Sequence, residues 1–375
     1  MTRFVQIHTL ASFPAVLLNR DDAGFAKRLP YGGASRIRVS SQCLKRHWRT
    51  VEDEWALSRL DLPMAERSRK AIEMAVMPKL GALAPDIAEA IETSLTVSLY
   101  GKDAKKTPSS RQALLLGHVE LEYLVRLAQE AATTGSAAAA TKLLAEKFAR
   151  GEGKSNLRAL TDGAALPAGL EGALFGRMVT SDPDANTEAA IHVAHAFTVH
   201  AEEAESDYFT VVDDLTREAG EAGTAGIFET ELTSGLFYGY VVVDVPGLVD
   251  NLGGDRALAG RVVRHLLHLI ATVSPGAKRG STAPYAYAEL MLVELGTRQP
   301  RSLAGAFRSP VPKAGDVLAG ALGALGGHLE RLDAAYGARE QRAALCCAAA
   351  ALPGVEAPRP LDALADWAAA AVQAG

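Results

Sequence analysis

An α+β fold is predicted by three observations. Strand-like stretches recur at residues 3–11, at "RIRVS" (36–40), "AAIHVAHAFTVH" (189–200), "GLFYGYVVVDV" (235–245) and "YAELMLVEL" (287–295). Amphipathic helices stand between them, one starting near Gln42 and a longer one over "DRALAGRVVRHLLHLIATV" (255–273). Residues 64–150 read as helical throughout, with no strand alternation. Strand, helix, insertion, strand, helix, strand is the order of a ferredoxin-like sheet with material spliced into its middle. At 375 residues, the chain is long enough for a main domain plus insertions.

The first strand sets Val5, Ile7 and Thr9 on one face and Gln6 and His8 on the other. A turn-rich loop, "LNRDDAGFAKRLPYGGAS", leads to "RIRVS", where Ile37 and Val39 oppose Arg36, Arg38 and Ser40. Ser40 or Ser41 then N-caps a helix. Its apolar stripe is Leu44, Trp48 and Val51, and Gln42, Lys45, Arg46 and Arg49 fall on the other side. Residues 201–235 are acidic and Gly-punctuated with β-prone runs on each side, which predicts a projecting hairpin. The Ala-rich end, 314–374, predicts ancillary helices, with Cys346 and Cys347 as packing residues in one of them.

Composition narrows the function. With net charge −5, a general polyanion coat is excluded, so any nucleic-acid contact must come from a local patch. Three cysteines form no disulfide framework and point to a reducing compartment. The N-terminus lacks the apolar core of a leader, and the most apolar tracts are too short to span a bilayer. A soluble cytoplasmic protein with no membrane partner is expected.

One stretch departs from the acidic background. "KRLPYGGASRIRVSSQCLKRHWR", Lys27–Arg49, carries seven Lys or Arg and no acid. It covers a loop, a strand and a helix, with Arg36, Arg38, Lys45 and Arg49 on one side, and Gly32 and Gly33 would let a ligand approach the backbone. A polyphosphate is the simplest partner; a merely solvated surface is the alternative. "VSPGAKRGSTAP" is no Walker motif, so Lys278 and Arg279 either hold an RNA backbone or serve a helix C-terminus. His192, His195 and His200 would scatter along a strand, which favours structural histidines; neither metal nor cofactor is implied. Asp21 and Asp22 are either a metal-binding pair for RNA cleavage or turn caps.

Further blocks carry a family resemblance. "LNRDD" (18–22), "YGG" (31–33), "RVSSQCLKR" (38–46), "GRMVTS" (176–181), "YFTVVDDL" (208–215), "SGLFYGY" (234–240) and "PGAK" (275–278) resemble, in this order, the CasC backbone-subunit family of type I-E CRISPR Cascade complexes, within the RAMP superfamily. The resemblance implies a modified RNA-recognition-motif palm (1–62, 179–205 and 236–312). It also implies a helical fingers insertion (63–178) and a thumb hairpin (206–235); the resemblance does not reach the last sixty or so residues, where composition alone predicts helices packed on the palm (313–375). Copies would stack head to tail along the spacer of a CRISPR RNA, beside the large, small, guide-processing and guide 5′-end-capping subunits. They would present bases for pairing with target DNA in antiviral defence, as R-loop-forming complexes do, without cutting. By the same resemblance Arg20, Lys27, Gln42, Lys45 and Arg49 contact the guide backbone, Phe209 and Thr210 lie at a displaced base, and Met178 wedges against guide bases. Where the family's fingers carry a dense lysine run, this chain offers Lys142, Lys147 and Arg150 broken by Glu146, so Lys142 alone is kept as a DNA-contact candidate. The acidic thumb loop, Glu218 and Glu221 among others, is expected to meet a basic surface of a neighbouring subunit. Type III relatives cut RNA through a palm-loop acid, so a metal-dependent ribonuclease using Asp21 and Asp22 is the alternative.

Overall fold

A computed structural model describes residues 2–148, 166–179, 183–212 and 224–374. Arg150, Glu218 and Glu221 lie outside the described residues, as do 180–181 and 213–215 of two sequence blocks. The chain begins β1 (Phe4–Val16), β2 (Arg28–Tyr31), β3 (Ala34–Val39), α1 (Ser41–Thr50), β4 (Ala65–Ser68), α2 (Pro85–Tyr100) and β5 (Leu114–Gly117). It continues through α3 (His118–Ala132), α4 (Ala137–Lys147), α5 (Gly169–Phe175), β6 (Ile191–Val193), β7 (Ala196–Thr198), β8 (Ala204–Val212) and β9 (Thr224–Asp244). Last come α6 (Val245–Asn251), α7 (Arg256–Thr272), α8 (Arg279–Thr282), β10 (Leu290–Gly296), α9 (Val317–Tyr336), β11 (Gln341–Cys346) and α10 (Leu361–Ala374). Contacts divide it into two compact units: Met1–Leu57 with His192–Val245 and Ala259–Gly375, and Ser58–Ile191 with Pro246–Leu258.

In the first unit the sheet runs β11-β10-β1-β9-β7-β3-β2, with β6 and β8 also on β9. Its centre, β10-β1-β9-β7, is paired antiparallel throughout, the four-one-three-two order of a ferredoxin-like βαββαβ unit. Central strands bury both faces. Val5 and Ile7 are inaccessible, and so are Gln6 and His8 on the other side, because these polar groups find partners within the sheet. Helices α1 and α7 flank the face of Ala11, Phe13, Phe237 and Val241. Helix α9 covers the opposite face, setting Ala321, Leu322, Leu325 and Leu329 against Leu10, Leu236, Tyr238 and Leu292. That second face is the one a single-layer palm of this type leaves open for stacking bases. Here it is core, and any nucleic-acid track has to run elsewhere.

The Ala-rich end departs from expectation. Gln341–Cys346 is the strand β11, paired to β10 with Arg342 opposite Glu294, so Cys346 sits in a strand and not in an alanine helix. Alanine's helical preference is a fraction of a kcal/mol per residue, which a buried ion pair and a full ladder outweigh.

The second unit is built on Ile91, Leu95, Leu121, Leu124 and Leu144 of α2, α3 and α4. It is not wholly helical: β4 and β5 form a two-stranded antiparallel pair, Ala65 opposite Gly117. Four residues each are too few for alternation to register, and Leu114–Leu116 is apolar on both sides. Glu120 and Arg177, both buried, lie 2.6 Å apart, and Arg177 also donates to the Ala185 carbonyl. This anchor explains the "GRM" block: Arg177 is fixed inside while the next residue, Met178, is 67% exposed.

Among the described residues no helix is long and apolar enough to cross a membrane.

Candidate nucleic-acid interface

Helix α1 presents the basic surface because its ends and its underside are fixed. Ser40 Oγ accepts from Cys43 N at 3.3 Å, and Ser40 N donates to Asn19 Oδ1 at 2.9 Å. Arg49 stands in the last turn, where the helix dipole favours a cation. Trp48 is buried beneath, leaving Gln42 and Arg46 exposed and Lys45 and Arg49 half-buried at the flanks.

The seven cations of Lys27–Arg49 separate into three environments. Arg28 is neutralised: its Nε donates to Glu202 at 2.8 Å, and its Nη2 pairs with Glu231. Arg36 corrects the sequence reading. It is fully buried, and its guanidinium donates to the carbonyls of Tyr31, Thr198 and Phe307 at 3.3, 2.9 and 3.0 Å. Alternation put it on the outer face, but β3 is roofed on that side too, so Arg36 is a strut and offers no charge to a ligand. Gly32 is likewise structural. With Gly33 it makes a two-residue hairpin turn at φ +63° and +78°, and a Cβ on Gly32 would stand 1.5 Å from the Arg308 carbonyl oxygen.

The other five cations keep some exposure, Arg46 most of all. Arg38 donates to the Arg28 carbonyl at 3.1 Å and to His195 Nδ1 at 2.9 Å. Burial lowers the pKa of His195, and the positive charges of Arg38 and Lys27 lower it further. Burial raises the Cys43 thiol, against the pull of Lys27 and Arg46. Burial again lowers His47, with Arg279 and Arg46 adding to the effect. Arg38 N also donates to the Lys27 carbonyl at 2.8 Å, so the strand and the loop before it carry their cations side by side.

His47, which pattern reading passed over, joins two of these segments. Its Nδ1–H donates to the Cys43 carbonyl at 2.8 Å, and Nε2 accepts from Gly276 N at 3.3 Å. This neutral tautomer ties α1 to the "PGAK" loop. There Lys278 takes a left-handed φ of +52° and donates through Nζ to Thr230 Oγ1 at the base of the β8–β9 hairpin. Nothing in the i to i+4 spacing of Cys43 and His47 foretells a contact to residue 276. Because His47 is held below its ordinary 6.5, the unfolded chain takes up the proton first. Its contribution to stability is therefore complete above pH 6.5 and lost as pH falls below it. Melting curves from pH 7.5 to 5.5 should show a declining midpoint, and the decline should be shallower in His47→Asn.

The hairpin is exposed along both faces of β8. Phe209 lies opposite Phe228, their rings 5.7 Å apart and inclined by 24°, and Thr210 lies opposite Ile227. Phe228 is a second functional candidate that only the hairpin register reveals. The other candidates fall as follows. Arg20 is exposed and bridges to Ala26 around a turn in which Asp21 Oδ1 accepts from Ala23 N and Phe25 N, both at 3.0 Å. Lys278 and Arg279 are exposed. Lys142, in the helical unit, sits 4.0 Å from Glu146, an exposed pair of little energetic weight. His200 is buried between the Ala201 carbonyl and Leu236 N. Among the described residues no three His, Cys, Asp or Glu side chains converge on a common point.

A ferredoxin-like palm closed on both faces carries its exposed cations on helix α1 and on the loop after α7, and that loop bonds through Lys278 to an exposed hairpin bearing paired aromatic rings. The chain belongs to the CT1975-like protein family, whose model matches residues 5–367. It is similar to a chain of a solved CRISPR RNA-guided surveillance complex described as pre-nicking, with 28% identity, a TM-score of 0.80, and 98% of this chain and 100% of that chain covered. A second CRISPR RNA-guided surveillance complex contains a chain of the same fold, at 24% identity and a TM-score of 0.69, covering 98% and 99%. No curated protein matches.

Proposed function

We propose that this chain is the backbone subunit of a type I-E CRISPR RNA-guided surveillance complex. In that role it repeats head to tail along the guide, grips the ribose-phosphate chain without reading bases, and cuts nothing. Family membership and the likeness to a chain of such a complex support this reading. The observation that carries it is the placing of exposed Arg46 on α1, which His47 ties to the loop of exposed Lys278 and Arg279, with Arg38, on the strand before α1, bonded to Lys27. Backbone contacts of this kind supply affinity that is indifferent to sequence, while pairing by the guide supplies specificity. A head-to-tail contact does not close on itself, so guide length would set the number of copies. The occupied Oδ1 of Asp21 supports a turn-forming aspartate over a metal ligand.

The test is binding of single-stranded RNA across a salt series. Lys45→Ala with Arg49→Ala should weaken binding on the order of tenfold, equally for unrelated sequences, and flatten the log–log salt slope by ~1.4. Unchanged affinity, or RNA shortened by the wild-type protein in Mg²⁺, would sink the reading.

A further inference from the structure

The loop that begins with Lys278 and Arg279 ends on two bare aromatic rings. Residues 256–288 contain no Asp or Glu. Within them Tyr285 and Tyr287 are 71% and 72% exposed, and among the described residues neither side chain has a partner. The backbone between them is pinned. Ala286 N donates to Ser274 Oγ, and that hydroxyl donates back to the Ala286 carbonyl, both at 2.9 Å. Ala288 N donates to the Ala271 carbonyl of α7 at 2.8 Å, and Ala288 is buried. Exposure alternates along the segment, with Ala286 half-buried and Ala288 buried, so the alanines turn inward and both tyrosines outward. The loop also doubles back. A Cβ on Gly276 would lie 2.4 Å from Pro284 and 3.6 Å from the Arg279 side chain, which brings the cationic start and the aromatic end together. Through His47 the same loop abuts α1 and its exposed Arg46.

We infer that Tyr285 and Tyr287 form a stacking platform for bases of a single-stranded polynucleotide whose phosphates are held by Lys278 and Arg279. Exposed rings on a pinned backbone lose little entropy on binding, and rings beside uncompensated cations suit a chain that alternates phosphate with flat bases. Lys278 and Arg279, exposed beside the rings, favour a polyanion as the partner. Stacking accepts every base, in keeping with a surface indifferent to sequence. This inference rests on the RNA-binding reading above.

The test uses the full chain and a hexaribonucleotide, with affinity read by fluorescence anisotropy. Tyr285→Ala with Tyr287→Ala should weaken binding by about fivefold or more, while the double Tyr→Phe variant retains it. The same oligomer made abasic should bind wild type and the alanine variant alike. Equal affinity of wild type and alanine variant for the normal oligomer overturns the inference, and so does an equal loss on abasic RNA. Unchanged hexamer affinity with fewer copies loaded on a longer RNA assigns the rings to a contact between copies, and overturns it too. Failure of wild type to bind any RNA removes the parent reading with it, so the two failures are told apart.

Discussion

Glu294→Ala should destabilise the sheet-bearing unit by about 3 to 5 kcal/mol, the cost of stripping one partner from a buried ion network. Glu294 is inaccessible at the middle of β10. One carboxylate oxygen accepts from His8 Nε2 at 3.2 Å and from Arg301 at 2.6 Å. The other accepts from Arg301 at 3.0 Å and from Arg342 Nε at 2.7 Å. Arg342 then reaches Asp333 of α9 at 2.5 and 2.8 Å. One side chain thus joins β1, β10, β11, α9 and the 298–303 loop. Burial alone would raise its pKa, but the bonds from His8 and Arg301 reverse that and hold it far below the ordinary 4.5. Its stabilisation is therefore present above pH 4.5 and lost as pH falls below. His8 stays neutral despite lying against a carboxylate, because its own desolvation dominates. In urea melts monitored on this unit the midpoint should drop sharply in Glu294→Ala, and less in Arg301→Ala, whose side chain is 27% exposed and keeps access to water. Equal midpoints for wild type and Glu294→Ala would show that the network carries no stability.

The same network marks where sequence reading stopped. The central strands were legible because β1 and β9 are long and rich in β-branched and aromatic residues and β10 is a compact apolar run, and α7 because its 3.6-residue period is sustained over 17 residues. The hairpin was legible by the opposite signal, acidic residues and glycines with no inward face to satisfy. Strand β11 was not: "QRAALC" carries no β-branched residue, and its pairing depends on Glu294 lying across from Arg342 some fifty positions away in sequence. The closing of the palm's second face by α9 was equally hidden, since an Ala- and Gly-rich helix announces no docking partner. As for the candidate interface, alternation assigned sides to β3 correctly but not depth. Arg36 and Arg38 do share a side, yet the loop ending at Phe307 covers one and leaves the other half open. A period reports direction along a strand; it does not report what a remote loop lays on top.

That distinction between Arg36 and its neighbours yields a second large effect. Arg36→Ala removes the donors of three carbonyls, at Tyr31, Thr198 and Phe307, and leaves a cavity between β3 and the 303–311 loop. The expected loss of stability is about 3 to 5 kcal/mol. Arg36→Lys should rescue little, because one ammonium cannot reach carbonyls that a planar fork spans. Burial disfavours the charged form of this guanidinium and lowers its pKa, which underlines how much its bonds must offset. Arg46→Ala should do the reverse. At an exposed position on α1 it should shift stability by less than about 0.5 kcal/mol. RNA affinity should nevertheless fall, with a flatter salt slope. Urea denaturation and RNA binding measured on the same four proteins, wild type and the three variants, separate strut from contact. A stable Arg36→Ala protein with weakened RNA binding would place that guanidinium at the surface and contradict its enclosure. A destabilised one whose folded fraction binds RNA normally would show that Arg36 holds the palm together, while the loss of affinity in Arg46→Ala marks the exposed arginine of α1 as the contact.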